Sequence, residues 1–360
     1  MMEFFSYIRT HYLSWSQSTP LPANLHDASA TFQSWHEFNA SVDQWTSVPV
    51  TETCSGRANR EIKQRQWPIQ ASKFVLVTWN VDSSSALPAT RISAIVSHIA
   101  SSAPAVDVIF FQEVSRQALH SLLCDAQVRQ YWYSSEADET NWHGQYFASM
   151  TLVSKRRFNH ANGSLGPVWR YKYPSRFRRD ALCCDVFLPS SAQSPNSEAD
   201  VVRARLVNVH LDSLPIQPSQ RPRQLSIVAS VLRSASRGLV AGDFNPVLTE
   251  DATLISENHL IDAWHELHPD EPGFTWGVDE KQPFPPGRLD KVALVGLRPY
   301  HIEVMHPDNI DLGSDDGNRN ASIKDAVNVC GETGLVKPSD QIVPWSDHSG
   351  LKCCVGLAGE

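Results

Sequence analysis

Residues 239–245 read Leu-Val-Ala-Gly-Asp-Phe-Asn, an apolar run that passes through a glycine into an acid and, two residues on, an amide. Such a run suits a short buried strand, and a buried strand with a polar end delivers side chains to the rim of a core. Asp243 and Asn245 share a side in extended chain, so one can activate a water while the other holds the atom it attacks. Alone this specifies little, because Gly-Asp turns are common. What constrains the chain is that the pattern occurs six times.

The other five polar strand ends are spread along the sequence. Asn80 lies in the β-favouring run 74–81, and the run 106–111 leads into Gln112-Glu113. His210 closes the run 202–212, Asp290 stands in Arg288-Leu289-Asp290, and Asp347 with His348 follows Trp345-Ser346. Acids and amides with two histidines and no cysteine cluster suit a hard, oxygen-liganded cation, Mg²⁺ or Mn²⁺, rather than zinc. Phosphoryl chemistry needs this set: a cation on a non-bridging oxygen, a base for water, and donors for the charge of the transition state.

The surrounding pattern is α/β. Pro88 opens a helix with Ile92, Ile95, Val96 and Ile99 at helical spacing, and Ser115 caps a second with Leu119, Leu122 and Leu123 on its inner face. Four strands, 145–154, 164–173, 179–188 and 202–212, suggest an antiparallel sheet, and a helix over 221–235 returns the chain to the run at 239. Further strands are expected at 273–277, 287–296, 301–305 and 350–357, with 306–345 as a long polar loop. Two facing sheets suit this order.

At 360 residues, 41% hydrophobic and 19% charged, the composition is that of a soluble globular protein. A net charge of −8 argues against non-specific coating of nucleic acid but leaves room for a local basic groove. No leader or membrane-spanning run is seen, so the expected setting is intracellular, nucleus or cytoplasm, without membrane attachment, and as a monomer. The seven cysteines include the adjacent pairs 183–184 and 353–354 and read as reduced packing residues. Residues 1–70 hold four of the eleven tryptophans, which suggests an extension docked on a catalytic domain over 71–360.

Taken in order, Thr78-Trp79-Asn80, Gln112-Glu113-Val114, His210-Leu211-Asp212-Ser213, Gly242-Asp243-Phe244-Asn245, Arg288-Leu289-Asp290 and Ser346-Asp347-His348 resemble the motifs of the endonuclease/exonuclease/phosphatase superfamily of Mg²⁺-dependent phosphodiesterases. The resemblance covers about 74–357 and implies a four-layered α/β sandwich of two facing mixed sheets flanked by helices. By motif, it implies that Glu113 binds the metal with Asn80 and Asp347 nearby, and that Asp243 deprotonates the water. Asn245 and His210 would hold the phosphate, and His348, steadied by Asp290, would stabilise its transition-state charge. Within the superfamily the chain is most similar to the tyrosyl-DNA phosphodiesterase 2 branch, through Thr78-Trp79-Asn80-Val81-Asp82, Tyr146-Phe147, His210–Ser213 and Phe274-Thr275-Trp276. That likeness implies DNA ends carrying a 5′-linked tyrosine or protein as substrate, with Arg179, Trp276, Ser213 and Tyr146 as substrate-binding residues. The chain departs from the branch in Phe244, where the relatives carry a small polar residue, and in Asp212, where they carry a glutamate.

Between Lys155 and Arg179 lie eight cationic residues and no acid, interleaved with Phe158, Trp169, Tyr171, Tyr173 and Phe177. Basic and aromatic residues together are the composition of a single-strand groove, which pairs backbone charge with base stacking. The leading expectation is a 5′-phosphotyrosyl DNA phosphodiesterase that leaves a 5′-phosphate. The alternatives are an RNA 3′-exonuclease of deadenylase type, a DNA endonuclease, an inositol-phosphate or sphingomyelin phosphohydrolase, and an inactive nucleic-acid-binding module.

Overall fold

The computed structural model describes residues 30–48, 50, 72–159, 164–189, 201–279, 282, 284–311 and 342–357. Three strands, β1 (Ala30–Gln33), β2 (Trp35–Asn39) and β3 (Gln44–Val48), precede β4 (Lys73–Asn80). Next come α1 (Pro88–Ser101), β5 (Val108–Ser115), α2 (Arg116–Cys124), α3 (Ala126–Tyr131), β6 (Trp132–Ser134) and β7 (Phe147–Ser154). They are followed by β8 (Leu165–Lys172), β9 (Asp180–Pro189), β10 (Val201–His210), α4 (Arg221–Arg233) and β11 (Gly238–Asp243). The last elements are α5 (Leu254–Glu257), β12 (Ile261–Asp262), α6 (Ala263–Leu267), β13 (Asp290–Val295), β14 (Leu297–Met305), β15 (Asn309–Asp311), β16 (Ile342–Pro344) and β17 (Gly350–Leu357).

Two large mixed sheets face each other. One has the order β1-β8-β9-β10-β11-β13-β12 and the other β14-β17-β4-β5-β7-β6-β2-β3. Strand alternation divides the apolar residues among three layers. In β4, Phe74 and Leu76 join Leu206, Leu239 and Val355 between the sheets, whereas Val75, Val77 and Trp79 face α1 and α2. On the far side of the other sheet, Val207, Val209 and Val240 pack on Leu225, Val228 and Leu232 of α4. Each fully buried side chain of this size contributes roughly 1.5–3 kcal/mol. The result is the expected four-layered α/β sandwich.

Three local readings change. The run that becomes β7 was grouped with β8, β9 and β10, but it pairs with β5 and β6 in the other sheet. It is buried on both faces, with Met150 and Leu152 toward the helices and Val153 toward the inter-sheet core beside the buried Ser149 and Thr151, so periodicity cannot say which sheet it joins. Residues 273–277 form no strand; Gly273 and Gly277 have φ of +60° and +70°, and Trp276 makes only isolated bridges to Gly287 and His348. Of the segment 306–345, the described ends form β15 and β16, which pair with each other, and its middle lies outside the described residues.

The segment 30–48 is part of both sheets. β1 pairs with β8, while β2 pairs with β3 and β6, and Trp35 is fully buried with its indole N–H donated to the Gly166 carbonyl. The other tryptophans of this region differ: Trp45 packs beside the outer helical layer, and Trp15 and Trp67 lie outside the described residues. No helix of the described residues is long and apolar enough to cross a membrane.

Candidate active site

The polar strand ends meet at one edge of the sandwich because strand direction and register leave no other place for them. β4 and β5 run parallel with Asn80 opposite Gln112, and β10 and β11 run parallel with His210 opposite Asp243. β13 runs antiparallel to β11, which puts Asp290, its first residue, opposite Asp243, the last residue of β11. Asn80 spans the gap between the sheets: its Nδ2 donates to Asp243 Oδ2 at 3.1 Å and to Glu113 Oε1 at 3.4 Å. Below it, Gln112 Nε2 donates to Asn208 Oδ1 at 2.8 Å, and Asn208 Nδ2 donates to the Phe111 and Met150 carbonyls. Those amides lock the two sheets in register under the site.

Glu113 leaves the ladder through an irregularity between Phe111 and Val114 and takes a φ of 58°, which turns its side chain out of strand parity. Its Oε2 accepts from the Ser83 backbone N–H at 3.0 Å and hydroxyl at 2.6 Å. Burial would push this carboxyl up, but Arg179 and the two Ser83 bonds hold it below the usual carboxylate range. Gly242 is required for closeness: a Cβ there would meet the Val209 carbonyl oxygen at 1.9 Å. After Asp243 the chain is no longer extended, since Asn245 has a φ of 46° and donates its backbone N–H to Asp243 Oδ1 at 2.9 Å. Asn245 therefore reaches the site by a left-handed turn and not by sharing a strand face, and its Nδ2 donates to the Leu211 carbonyl.

His348 Nδ1 lies 2.8 Å from Asp290 Oδ2, and its Nε2 stands 4.0 Å from Asp243 Oδ2. The ring is seated by its own backbone: Trp79 Nε1 donates to the His348 carbonyl, and the His348 N–H donates to Ser346 Oγ, which donates to the Asn80 carbonyl. Although burial opposes charge, the carboxylates of Asp290 and Asp347 hold His348 well above the ordinary histidine value, so it is an imidazolium at neutral pH. His210 goes the other way. Burial and Arg179 push it well below that value, and neither ring nitrogen makes a hydrogen bond within the protein, Nε2 standing 3.5 Å from Asp243 Oδ2. Burial raises Asp243 against the pull of His348, which favours proton acceptance.

The sequence profile of the Endonuclease/Exonuclease/phosphatase family matches residues 77–348, a span that holds every one of these side chains. The chain belongs to that family. Among solved structures, D. rerio TDP2 complexed with single-strand DNA product superposes with a TM-score of 0.54 at 19% identity, over 79% of this chain and 100% of that one. C. elegans TDP2 gives 0.53 at 18% identity, over 79% and 75%. At such identity the likeness is one of fold. No curated protein matches the chain.

Family members are hydrolases that generally depend on a divalent metal, and the donor set here fits one. Glu113 is kept ionised, Asn80 is beside it, and Asp347 feels the charge of both Asp82 and Glu113 while burial pushes it up to about 6. A cation would relieve the charge that Glu113 and Asp82 place on Asp347. Among the described residues no three His, Cys, Asp or Glu side chains form an all-protein cage. Mg²⁺ does not need one, because it keeps several waters and binds through one or two carboxylates. The Asp347 carboxylate is held from the other side, its Oδ2 accepting from Trp276 Nε1 at 3.1 Å.

The basic block does not form one groove. Register places Phe147 beside Ser115 and Val153 beside Val108, so Lys155, Arg156 and Arg157 emerge at the opposite end of β7, roughly 25 Å along the strand. Arg170 is buried against Glu136 and Asp180 at 2.6 and 3.0 Å, and Phe158, Trp169 and Tyr173 are core residues. Arg176, Phe177, Arg178 and Arg179 remain at the site end. The guanidinium of half-buried Arg179 lies over Phe147 at 4.8 Å. Trp276 and Ser213 are half-buried near the rim, whereas Tyr146 is 84% exposed.

Several contributors to the site of this family member were given no role by the sequence. Asp212 anchors the Arg179 loop, its carboxylate accepting from Ser175 Oγ, the Arg176 N–H and Gln224 Nε2, while Ser175 Oγ accepts the Arg179 N–H at 2.9 Å. Buried Arg221 ties the Asp212 and Leu214 carbonyls to Asp251. Arg91 donates to the Val81 and Asp82 carbonyls under the Ser83 turn. A lone Ser in a loop, or a single Arg in a helix, carries no periodic signal. Phe244 was a visible departure, and it lies in the α4 core layer, away from the reacting groups.

Proposed function

We propose that the chain is a divalent-metal-dependent phosphodiesterase that hydrolyses 5′-phosphotyrosyl links at DNA ends and leaves a 5′-phosphate. The observation that carries the reading is the meeting of Asp243, His348 and His210 around one point, with His348 held by Asp290 and with Asn80 joining Asp243 to Glu113. Asp243 accepts the proton of the attacking water. His348, fixed by Asp290, donates to the oxygens that gain charge in the transition state. His210 and Asn245 hold the phosphate, the former through ring nitrogens that have no partner within the protein. Mg²⁺ or Mn²⁺, held by Glu113 with Asn80 and Asp347 nearby, would supply charge neutralisation at a non-bridging oxygen.

Support for nucleic acid as one arm of the substrate comes from Arg176, Arg178 and Arg179 at the site end, beside Phe147, with Trp276 and Tyr146 as stacking surfaces. The fold-level likeness to a TDP2 bound to single-strand DNA product agrees with this. The deciding experiment incubates the protein with matched 5′-tyrosyl, 3′-tyrosyl, abasic and polyadenylate oligonucleotides, with and without Mg²⁺. Metal-dependent release of tyrosine from the 5′ end alone is expected. Turnover confined to polyadenylate or abasic DNA would replace the reading.

A further inference from the structure

Arg91, near the start of α1, is 1% exposed, and its guanidinium lies under the loop that joins β4 to α1. Nη1 donates to the Asp82 carbonyl at 2.9 Å, and Nη2 donates to the Val81 carbonyl at 2.9 Å and to Asp82 Oδ2 at 3.3 Å. Nε donates in another direction, to the carbonyl of Pro344 at the end of β16, at 3.1 Å. One planar fork thus holds the 81–82 peptide and a strand end 253 residues further along the chain. Both segments carry groups of the candidate metal centre. The Asp82 N–H donates to Asn80 Oδ1 at 3.0 Å, which fixes the amide so that its Nδ2 meets Glu113 and Asp243. Ser83 next in line holds Glu113 Oε2 through its N–H and hydroxyl. Beyond Pro344, Ser346 Oγ donates to the Asn80 carbonyl and accepts the His348 N–H, with Asp347 between the two.

We infer that Arg91 is a positioning residue for the metal centre: its fork sets the 81–83 turn against Pro344, and with it the placing of Asn80 and Glu113 relative to Asp347. This rests on the metal-dependent part of the function proposed above and adds what holds the ligands in place. A buried guanidinium could instead serve only as a counter-charge. The acids whose charge reaches it are Asp82, Asp347 and Glu113, in that order. A pure counter-charge competes with a divalent cation for the same carboxylates, so its removal would tighten metal binding. The hydrogen bonds favour the geometric role, because three of those above end on backbone carbonyls, which carry no net charge to balance. A rigid fork satisfies carbonyls of two segments at once, whereas a single ammonium on a flexible stem does not. Mg²⁺ makes such placing matter, since it demands near-ideal octahedral geometry.

The test compares Arg91→Lys, which keeps the charge and loses the fork, with Arg91→Gln, which loses both, in the full chain. Mg²⁺ binding is read by calorimetry without substrate, and kcat and KM are read on a 5′-tyrosyl oligonucleotide at saturating Mg²⁺. Arg91→Lys is expected to weaken Mg²⁺ binding and to lower kcat, each roughly tenfold or more, as changes to residues that hold metal ligands from behind do. KM for the oligonucleotide is expected to stay within about twofold, because the Arg179 loop is held by Asp212 and Ser175. Arg91→Gln is expected to weaken Mg²⁺ binding as well, despite the loss of a nearby positive charge. Tighter binding in Arg91→Gln with none of the loss in Arg91→Lys would make Arg91 a counter-charge and overturn the inference. A lower melting temperature with unchanged Mg²⁺ affinity in both variants would make its role structural and overturn it too. Should neither variant fold, Ser83→Ala leaves the guanidinium in place and tests the same relay: Mg²⁺ binding roughly fivefold weaker is expected, and unchanged binding would overturn the inference. If the unmodified protein bound no Mg²⁺, the metal reading would fail and the inference with it. If it bound Mg²⁺ but released no 5′-tyrosine, only the phosphotyrosyl reading would fail, and calorimetry would still decide the role of Arg91.

Discussion

Asp243 and Asp290 face each other directly across the antiparallel pair β11–β13, yet they meet different sides of one imidazole: Asp290 Oδ2 is 2.8 Å from His348 Nδ1, and Asp243 Oδ2 is 4.0 Å from His348 Nε2. Two acids placed by one register thus divide their work, one holding the ring and the other facing the reaction. The division sets the pH behaviour. Asp290 raises His348, and the imidazolium is the working form, so Asp290→Asn should bring its deprotonation to lower pH. The alkaline limb of the kcat/KM profile is expected to move toward neutrality while the plateau at lower pH falls only modestly. An unmoved alkaline limb would assign that limb to another group.

Asp243→Asn keeps the shape but removes the proton acceptor. Turnover is expected to fall by roughly 10²–10⁴-fold in single-turnover assays. Retention of more than about a tenth of the rate would move the base elsewhere.

Glu113→Gln removes the carboxylate held ionised by Arg179 and Ser83. Loss of turnover is expected with the melting temperature nearly unchanged, because the Ser83 bonds can pass to the amide oxygen. Calorimetric titration should show weaker Mg²⁺ binding, and excess chelator should silence the unmodified protein. Full activity in chelator would sink the metal assignment.

Arg179→Ala deletes a fixed cation that a flexible lysine replaces only in part. We expect kcat/KM on a 5′-tyrosyl oligonucleotide to drop roughly tenfold or more, about 1.4 kcal/mol of transition-state stabilisation. A small phosphotyrosyl analogue without DNA should lose less. Equal losses on both substrates would place Arg179 in the reacting centre instead.

Asn208→Ala tests the amide lock between the sheets. The change leaves Gln112 with Thr78 as its remaining side-chain partner and removes a donor from the Phe111 and Met150 carbonyls in a buried layer, where a lost partner costs about 1–3 kcal/mol. Chemical denaturation should report a loss of about 2 kcal/mol or more; a loss under roughly 0.5 kcal/mol would mean the layer is not closed to water.

The sequence by itself determined which polar residues stand at the strand ends and the layers that carry them. Apolar runs ending in Asn80, Glu113, His210, Asp243, Asp290 and His348 could bury their hydrophobic faces only as strands under helices, and polar ends cannot enter such a core, so they had to gather at an edge. Tertiary structure decided what periodicity does not encode. The sheet that β7 joins turns on pairing, because both its faces are buried; the basic block divides because the ends of one strand lie roughly 25 Å apart. Glu113 and Asn245 reach the site through positive φ angles, and Asp212 acts on Arg179 through Ser175. Opposite protonation of two histidines is likewise a property of place: His348 lies against Asp290, and His210 is buried within the field of Arg179. Such differences arise from distance and burial, and those exist only once the chain has folded.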